Sequence, residues 1–270
     1  MRGNVPNVNP HFMKPANKIF RVFLIILLCI GGGVQPLLAA GRTYVVAIGL
    51  SDYKYPSICP SLKGYTITSA KLAATFFHQN SSSDVFMLLN ENATRDHMLR
   101  VMRSQFAKAD KDDIIMLIFS GHGYPGGITT YGFDGRTDKG ITYAEVQAIM
   151  RKSKAMRKVI FAEACYSGGF SQEGGNRPNN TQRRNRYNGS DLTEVMLYMS
   201  SRANEVSYVP CFMNFVVEGL SGKADSNEDR NVTCRELFNY VNQSVVSDTN
   251  GEQHPQMWGR FSNNMVLSRY

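Results

Sequence analysis

The chain alternates short apolar runs with longer stretches in which apolar residues recur at helical spacing. Ile114 to Phe119 and Val159 to Ala162 are apolar without polar alternation, the mark of strands buried on both faces. Thr43 to Gly49, Val85 to Leu89 and Val195 to Ser200 read as further strands. Between them, Ser61 to Phe77 and Thr94 to Phe106 read as helices, the second through Met98, Val101 and Met102. Thr142-Tyr143-Ala144-Glu145 is a capping box that opens a helix to about Ser153. Cys211 to Leu220 and Thr233 to Val246 predict two more helices, and a last strand lies near Asn264 to Ser268. Strands alternating with helices call for parallel pairing and right-handed crossovers. The expected fold is therefore α/β, with a mostly parallel central sheet flanked by helices.

Two of these strands end in small, glycine-rich turns that carry reactive side chains. Ile114 to Phe119 runs into Ser120-Gly121-His122-Gly123, and Val159 to Ala162 into Glu163-Ala164-Cys165-Tyr166-Ser167-Gly168-Gly169. In open parallel sheets chemistry sits outside the carboxyl ends of the strands, and both candidates stand there. A nucleophile on a tight turn needs close backbone approach, which glycine permits. Cys165 and His122 therefore form a candidate dyad. His78, His97 and His254 lack a glycine turn after an apolar strand and are weaker bases.

At these residues the chain resembles the caspase and metacaspase group of cysteine peptidases. Glu163-Ala164-Cys165-Tyr166-Ser167-Gly168 is similar to the metacaspase form Asp-Ala-Cys-His-Ser-Gly, and His122 precedes Cys165 by 43 residues, near the caspase-like offset of about 50. The likeness runs from about Thr43 to the C-terminus, through Ser200-Ser201-Arg202-Ala203. It implies a three-layer caspase-like fold and a peptide or protein substrate. It also implies an oxyanion site at the main-chain N–H groups of Gly123 and Cys165, and substrate contacts at Ser120, Glu163, Ser200 and Ser201. In metacaspase-like enzymes the acid two residues before the nucleophile helps to bind an Arg or Lys side chain ahead of the cut. The second acid of that pocket, in an Asn-Asp-Ala stretch, is replaced by Thr68-Ser69-Ala70. A basic preference is expected on Glu163 alone.

Composition refines the compartment. Lys14, Lys18 and Arg21 precede the apolar stretch Val22 to Ile30, and small residues follow at Ala39 and Ala40. That is a secretory signal peptide over residues 1–40, with Met13 a candidate true start. The expected location is periplasmic or extracellular, with no permanent membrane span once the leader is removed. The leader holds four basic residues and no acid, so the net charge drops from +8 to +4 for residues 41–270, which read as one domain. The 171–190 segment, rich in Gly, Asn, Gln and Arg, accounts for most of that excess and should be a mobile loop. Nucleic-acid binding lacks an electrostatic footprint, and the basic stretch from Arg151 to Lys158 reads as the solvated end of a helix. An arginine-preferring enzyme would find bonds to cut in its own loop after Arg177, Arg183, Arg184 or Arg186. At most one disulfide is expected among Cys59, Cys211 and Cys234, because a nucleophile must stay a free thiol.

Asp225, Asn227, Asp229, Asn231, Thr233 and Glu236 place oxygen side chains on the spacing of a calcium loop. Arg230 stands where the sharp turn wants Gly, and Thr233-x-x-Glu236 is equally a capping box. A capped polar turn is preferred to calcium at Asp225, Asn227, Asp229, Asn231 and Glu236, and no cofactor is expected to be required. Beside the endopeptidase stand two rivals: a catalytically silent caspase-like scaffold that binds proteins, and a calcium-dependent surface-binding module.

Overall fold

Apolar strands that cannot face water on either side must be covered by helices on both, and the chain does this in order. The computed structural model describes residues 41–78, 82–171, 195–205, 207–208, 210–259 and 262–270. The expected leader over 1–40 and the arginines of the expected loop lie outside them. The chain runs β1 (Thr43–Gly49), α1 (Tyr65–His78), β2 (Ser83–Leu89), α2 (Arg95–Phe106) and β3 (Ile114–Ser120). Three two-residue strands follow, β4 (Gly123–Tyr124), β5 (Gly127–Ile128) and β6 (Ile141–Thr142). Then come α3 (Tyr143–Lys152), β7 (Arg157–Glu163), β8 (Met196–Met199) and α4 (Cys211–Glu218). The chain closes with β9 (Asn231–Thr233), α5 (Cys234–Asp248), β10 (Gln256–Trp258) and β11 (Val266–Arg269).

The main sheet has the order β10-β8-β7-β3-β1-β2 and is parallel except for β10, which runs antiparallel to β8. Val46, Ile48, Leu117, Phe119 and Ile160 point to one face and pack with residues of α2 and α3, such as Met98, Met102, Val146 and Met150. Val45, Ala47, Met116, Ile118 and Phe161 point to the other and pack with residues of α1, α4 and α5, such as Phe77, Phe212 and Leu237. This is the expected three-layer α/β architecture. Among the described residues no helix is long and apolar enough to cross a membrane.

The departures from expectation have local causes. Helix α1 begins at Tyr65 rather than Ser61, because Lys63 (φ 52°) and Gly64 (φ 80°) turn through the left-handed region. The last strand does not join the main sheet but pairs antiparallel with β9. Strands β4, β5 and β6 are too short to leave a periodic signal. Lys158 is not the solvated end of a helix: it lies within β7 and is 3% exposed. Burial holds its ammonium below the usual lysine range, with the nearby Arg151 charge adding to the effect.

Candidate active site

In-register pairing of β3 with β7 places Ser120 opposite Glu163, so the two glycine-rich turns leave the sheet from the same edge. The Gly121 N–H donates to the Glu163 carbonyl at 3.1 Å and ties one turn to the other. Gly123 shows how closely they pack: a Cβ there would stand 2.2 Å from the carbonyl oxygen of Cys165. Only glycine lets the His122 turn lie on the Cys165 turn, and the main-chain amides of Gly123 and Cys165 belong to these facing segments.

His122 is held from the connection that follows β1. Its Nε2 lies 2.8 Å from the Pro60 carbonyl oxygen. A carbonyl only accepts, so Nε2 carries a hydrogen, and in the neutral ring Nδ1 is the nitrogen left to take a proton. Cys165 is a free, half-buried thiol.

The residue after Cys165 makes the turn. Tyr166 is left-handed at φ 61°, a conformation costly for a side chain with a Cβ. Its N–H donates to the Glu205 carbonyl at 3.2 Å, and its carbonyl accepts the buried Tyr143 hydroxyl at 3.0 Å. A knot of serines supports the turn from behind. The Ala164 N–H donates to Ser200 Oγ at 3.1 Å, Ser207 Oγ donates to Ser200 Oγ at 2.7 Å, and the Ser201 N–H donates to Ser167 Oγ at 3.3 Å. The side chains of Ser200 and Ser201 are fully buried. Their hydroxyls bond within this support.

The polar positions implied by the resemblance meet in one buried cluster. Ser120 Oγ donates to Glu163 Oε2 at 2.5 Å, and the Met213 N–H, in the first turn of α4, donates to Glu163 Oε1 at 2.9 Å. The Ser69 hydroxyl, from α1, faces the same carboxyl but makes no hydrogen bond of normal geometry. Ser69, Ser120 and Glu163 are all fully buried. Burial raises the Glu163 carboxyl above its usual range, against the opposing pull of Ser120, the Met213 amide and Ser69. Glu163 thus caps α4, whose N-cap residue Pro210 provides no side-chain cap.

The four described cysteines, Cys59, Cys165, Cys211 and Cys234, are free thiols. The Asp225 loop closes on itself. Asp225 accepts the N–H groups of Asp229 and Arg230 and the Tyr270 hydroxyl, while Glu236 accepts from Ser226 at one oxygen and from Thr233 at the other. The Thr233–Glu236 capping box is complete. Calcium would have to displace these bonds, so titration calorimetry on the metal-free protein should detect no site tighter than about millimolar. Sub-micromolar binding that Asp225→Ala abolishes would reverse that assignment.

Sequence reasoning did not single out Pro60, Met213 or Tyr143. The first two act through main-chain atoms, which leave no mark in residue identity. Tyr143 reads only as a member of a helix-opening capping box.

Sheet order, two-sided helical cover and the paired turns at one carboxyl edge define a three-layer α/β architecture. Residues 42–265 match the family model of the caspase domain, and the chain belongs to that family of cysteine peptidases. No curated protein matches it. Among solved structures, caspase-1 from Spodoptera frugiperda is similar at 14% identity and a TM-score of 0.59, over 85% of this chain and 91% of that one. A protein from Geobacter sulfurreducens is similar at 16% identity and a TM-score of 0.56, over 82% and 94%. The structure of pro-sf-caspase-1 is similar at 13% identity and a TM-score of 0.55, over 84% and 94%.

Proposed function

We propose that this protein is an exported cysteine endopeptidase that works through Cys165 and His122 and cuts after Arg or Lys. The observation that carries this reading is the contact of the two turns at Gly123, together with the Pro60 bond that leaves His122 Nδ1 as the base. Nδ1 takes the Cys165 thiol proton as sulfur attacks the peptide carbonyl, then gives it to the leaving amine. The N–H groups of Gly123 and Cys165 receive the oxyanion. Water, deprotonated by the same imidazole, releases the acyl group and restores the thiol.

The basic preference draws on the buried polar cluster of Ser69, Ser120 and Glu163. Glu163 is a buried acid faced by the Ser69 hydroxyl, so a guanidinium entering there would gain a carboxylate and a hydroxyl acceptor together. To admit it, Ser120 must release Oε2. One observation favours the rival reading of a silent, protein-binding scaffold: Glu163 is fully enclosed and already bonded at both oxygens.

Export and self-processing are tested together by mass spectrometry of the secreted protein beside its Cys165→Ala variant. The active protein should begin near residue 41 and be cut after Arg177, Arg183, Arg184 or Arg186, and the variant should keep that loop whole. Fragments formed equally by the variant would move the assignment to the silent scaffold.

A further inference from the structure

We infer that Tyr53 and Thr129 form a clamp that orients His122, which makes Tyr53 a positioning residue of the reaction; the inference rests on the dyad reading above. Tyr53 lies in the connection after β1 and is 6% exposed. Its hydroxyl oxygen accepts the main-chain N–H of His122 at 2.8 Å. The main-chain carbonyl of His122 accepts the Thr129 N–H at 3.1 Å and the Thr129 hydroxyl at 2.7 Å. The Thr129 and Tyr53 hydroxyls are themselves 3.1 Å apart. Both backbone groups of the histidine are therefore held by one closed set of bonds, which pins its φ and ψ.

The side chain is held as well. The Tyr53 ring centroid is 5.3 Å from that of the imidazole, with the planes tilted by 44°. Pro60, seven residues further along the same connection, fixes Nε2. At Gly121 a Cβ would stand 3.0 Å from the Tyr53 hydroxyl and 3.2 Å from Leu50 Cβ, so the close approach of the tyrosine depends on a glycine beside the base. Burial raises the phenol far above its ordinary range, so the clamp keeps its proton at any working pH. The titratable groups about Tyr53 are Cys59 and Asp52, from its own connection, and the His122 imidazole that faces its ring.

A tyrosine that merely filled the core would need one partner for its hydroxyl, and its loss would act on stability. A clamp acts on geometry instead, where a misplacement of about 1 Å costs on the order of a hundredfold in rate. Removing the phenol oxygen leaves the His122 N–H without its acceptor, and the imidazole turns with the backbone.

The test compares wild type, Tyr53→Phe, Thr129→Val, Thr129→Ser and His122→Ala in two assays. One is steady-state hydrolysis of an arginyl peptide, and the other is alkylation of Cys165 by iodoacetamide across pH, mapped by peptide mass. The other described thiols compete little, because burial pushes Cys59 up to about 11 and Cys211 and Cys234 up to about 12. Tyr53→Phe and Thr129→Val should lower kcat roughly ten- to a hundredfold with KM within about twofold, and should shift the alkylation profile toward that of His122→Ala. Thr129→Ser, which keeps the hydroxyl, should recover most of the loss. Tyr53→Phe with wild-type kcat and profile would overturn the clamp, as would equal losses in Thr129→Ser and Thr129→Val, the pair that decides if Tyr53→Phe fails to fold. A wild-type profile identical to that of His122→Ala would instead overturn the dyad reading beneath it.

Discussion

Cys165→Ala and His122→Ala should each remove peptide turnover by a factor on the order of 10⁴ or more, and the double variant should be little worse than either single one. The thiol is a weak nucleophile until a base takes its proton, and the imidazole has nothing to activate once the sulfur is gone, so the two losses are not additive. The geometry sharpens the expectation. Nε2 is committed to Pro60, so no rotation of the ring offers a second base without breaking that bond. Initial rates on a fluorogenic arginyl peptide, with active-site titration to count competent molecules, make the measurement. Either single variant working at the wild-type rate would remove Cys165 and His122 from the mechanism.

Glu163→Gln should lose roughly a hundredfold of preference for an arginyl over a neutral peptide, on the order of 2 to 4 kcal/mol for a charge-assisted bond to a guanidinium. The amide keeps the shape of the acid and can still accept the Met213 N–H, so the buried cluster itself should persist. The pH dependence separates the charge from the shape. Burial raises the Glu163 carboxyl, so arginyl hydrolysis should fall as pH drops through a value above the ordinary carboxylate range. Neutral peptides should lack that limb, and so should Glu163→Gln with either peptide. Stability runs the other way. A carboxyl whose folded pKa is raised stabilises the fold at low pH, and that stability is lost as pH rises through the folded value. Glu163→Gln should therefore hold its Tm at pH 8 where the acid form declines, by differential scanning fluorimetry. Equal arginyl and neutral rates in the wild type would remove Glu163 from substrate recognition.

Much of this arrangement was legible because burial on both faces leaves an unmistakable residue pattern. Ile114 to Phe119 and Val159 to Ala162 had to be central strands, and the glycines after them had to be turns, which marked His122 and Cys165 as candidates. The capping boxes at Thr142 and Thr233 marked two helix starts for a local reason, since both bonds of each box join residues three apart. What escaped was non-local or carried by the main chain. The Pro60 carbonyl and the Met213 amide have no side-chain signature. Ser200 and Ser201 matched a family segment, yet identity could not say which way their hydroxyls point. Lys158 read as solvated because charge usually is, and only the register of β7 buries it. In β11 the apolar run is legible, but its partner β9 is three residues long and invisible to periodicity.

The parallel sheet also governs when the site comes into being. Ser120 meets Glu163 across 43 residues and Glu163 meets Met213 across 50, and each meeting needs strands or a helix to dock from separate parts of the chain. Contacts of such long sequence separation form late, because loop closure must be offset before they reward the chain. A ribosome-bound chain that already contains both His122 and Cys165 still lacks α4 and the Met213 amide that bonds Glu163. The proposed substrate contact at Glu163 therefore cannot assemble until α4 has docked, a delay written into topology that a motif on a single hairpin would not have.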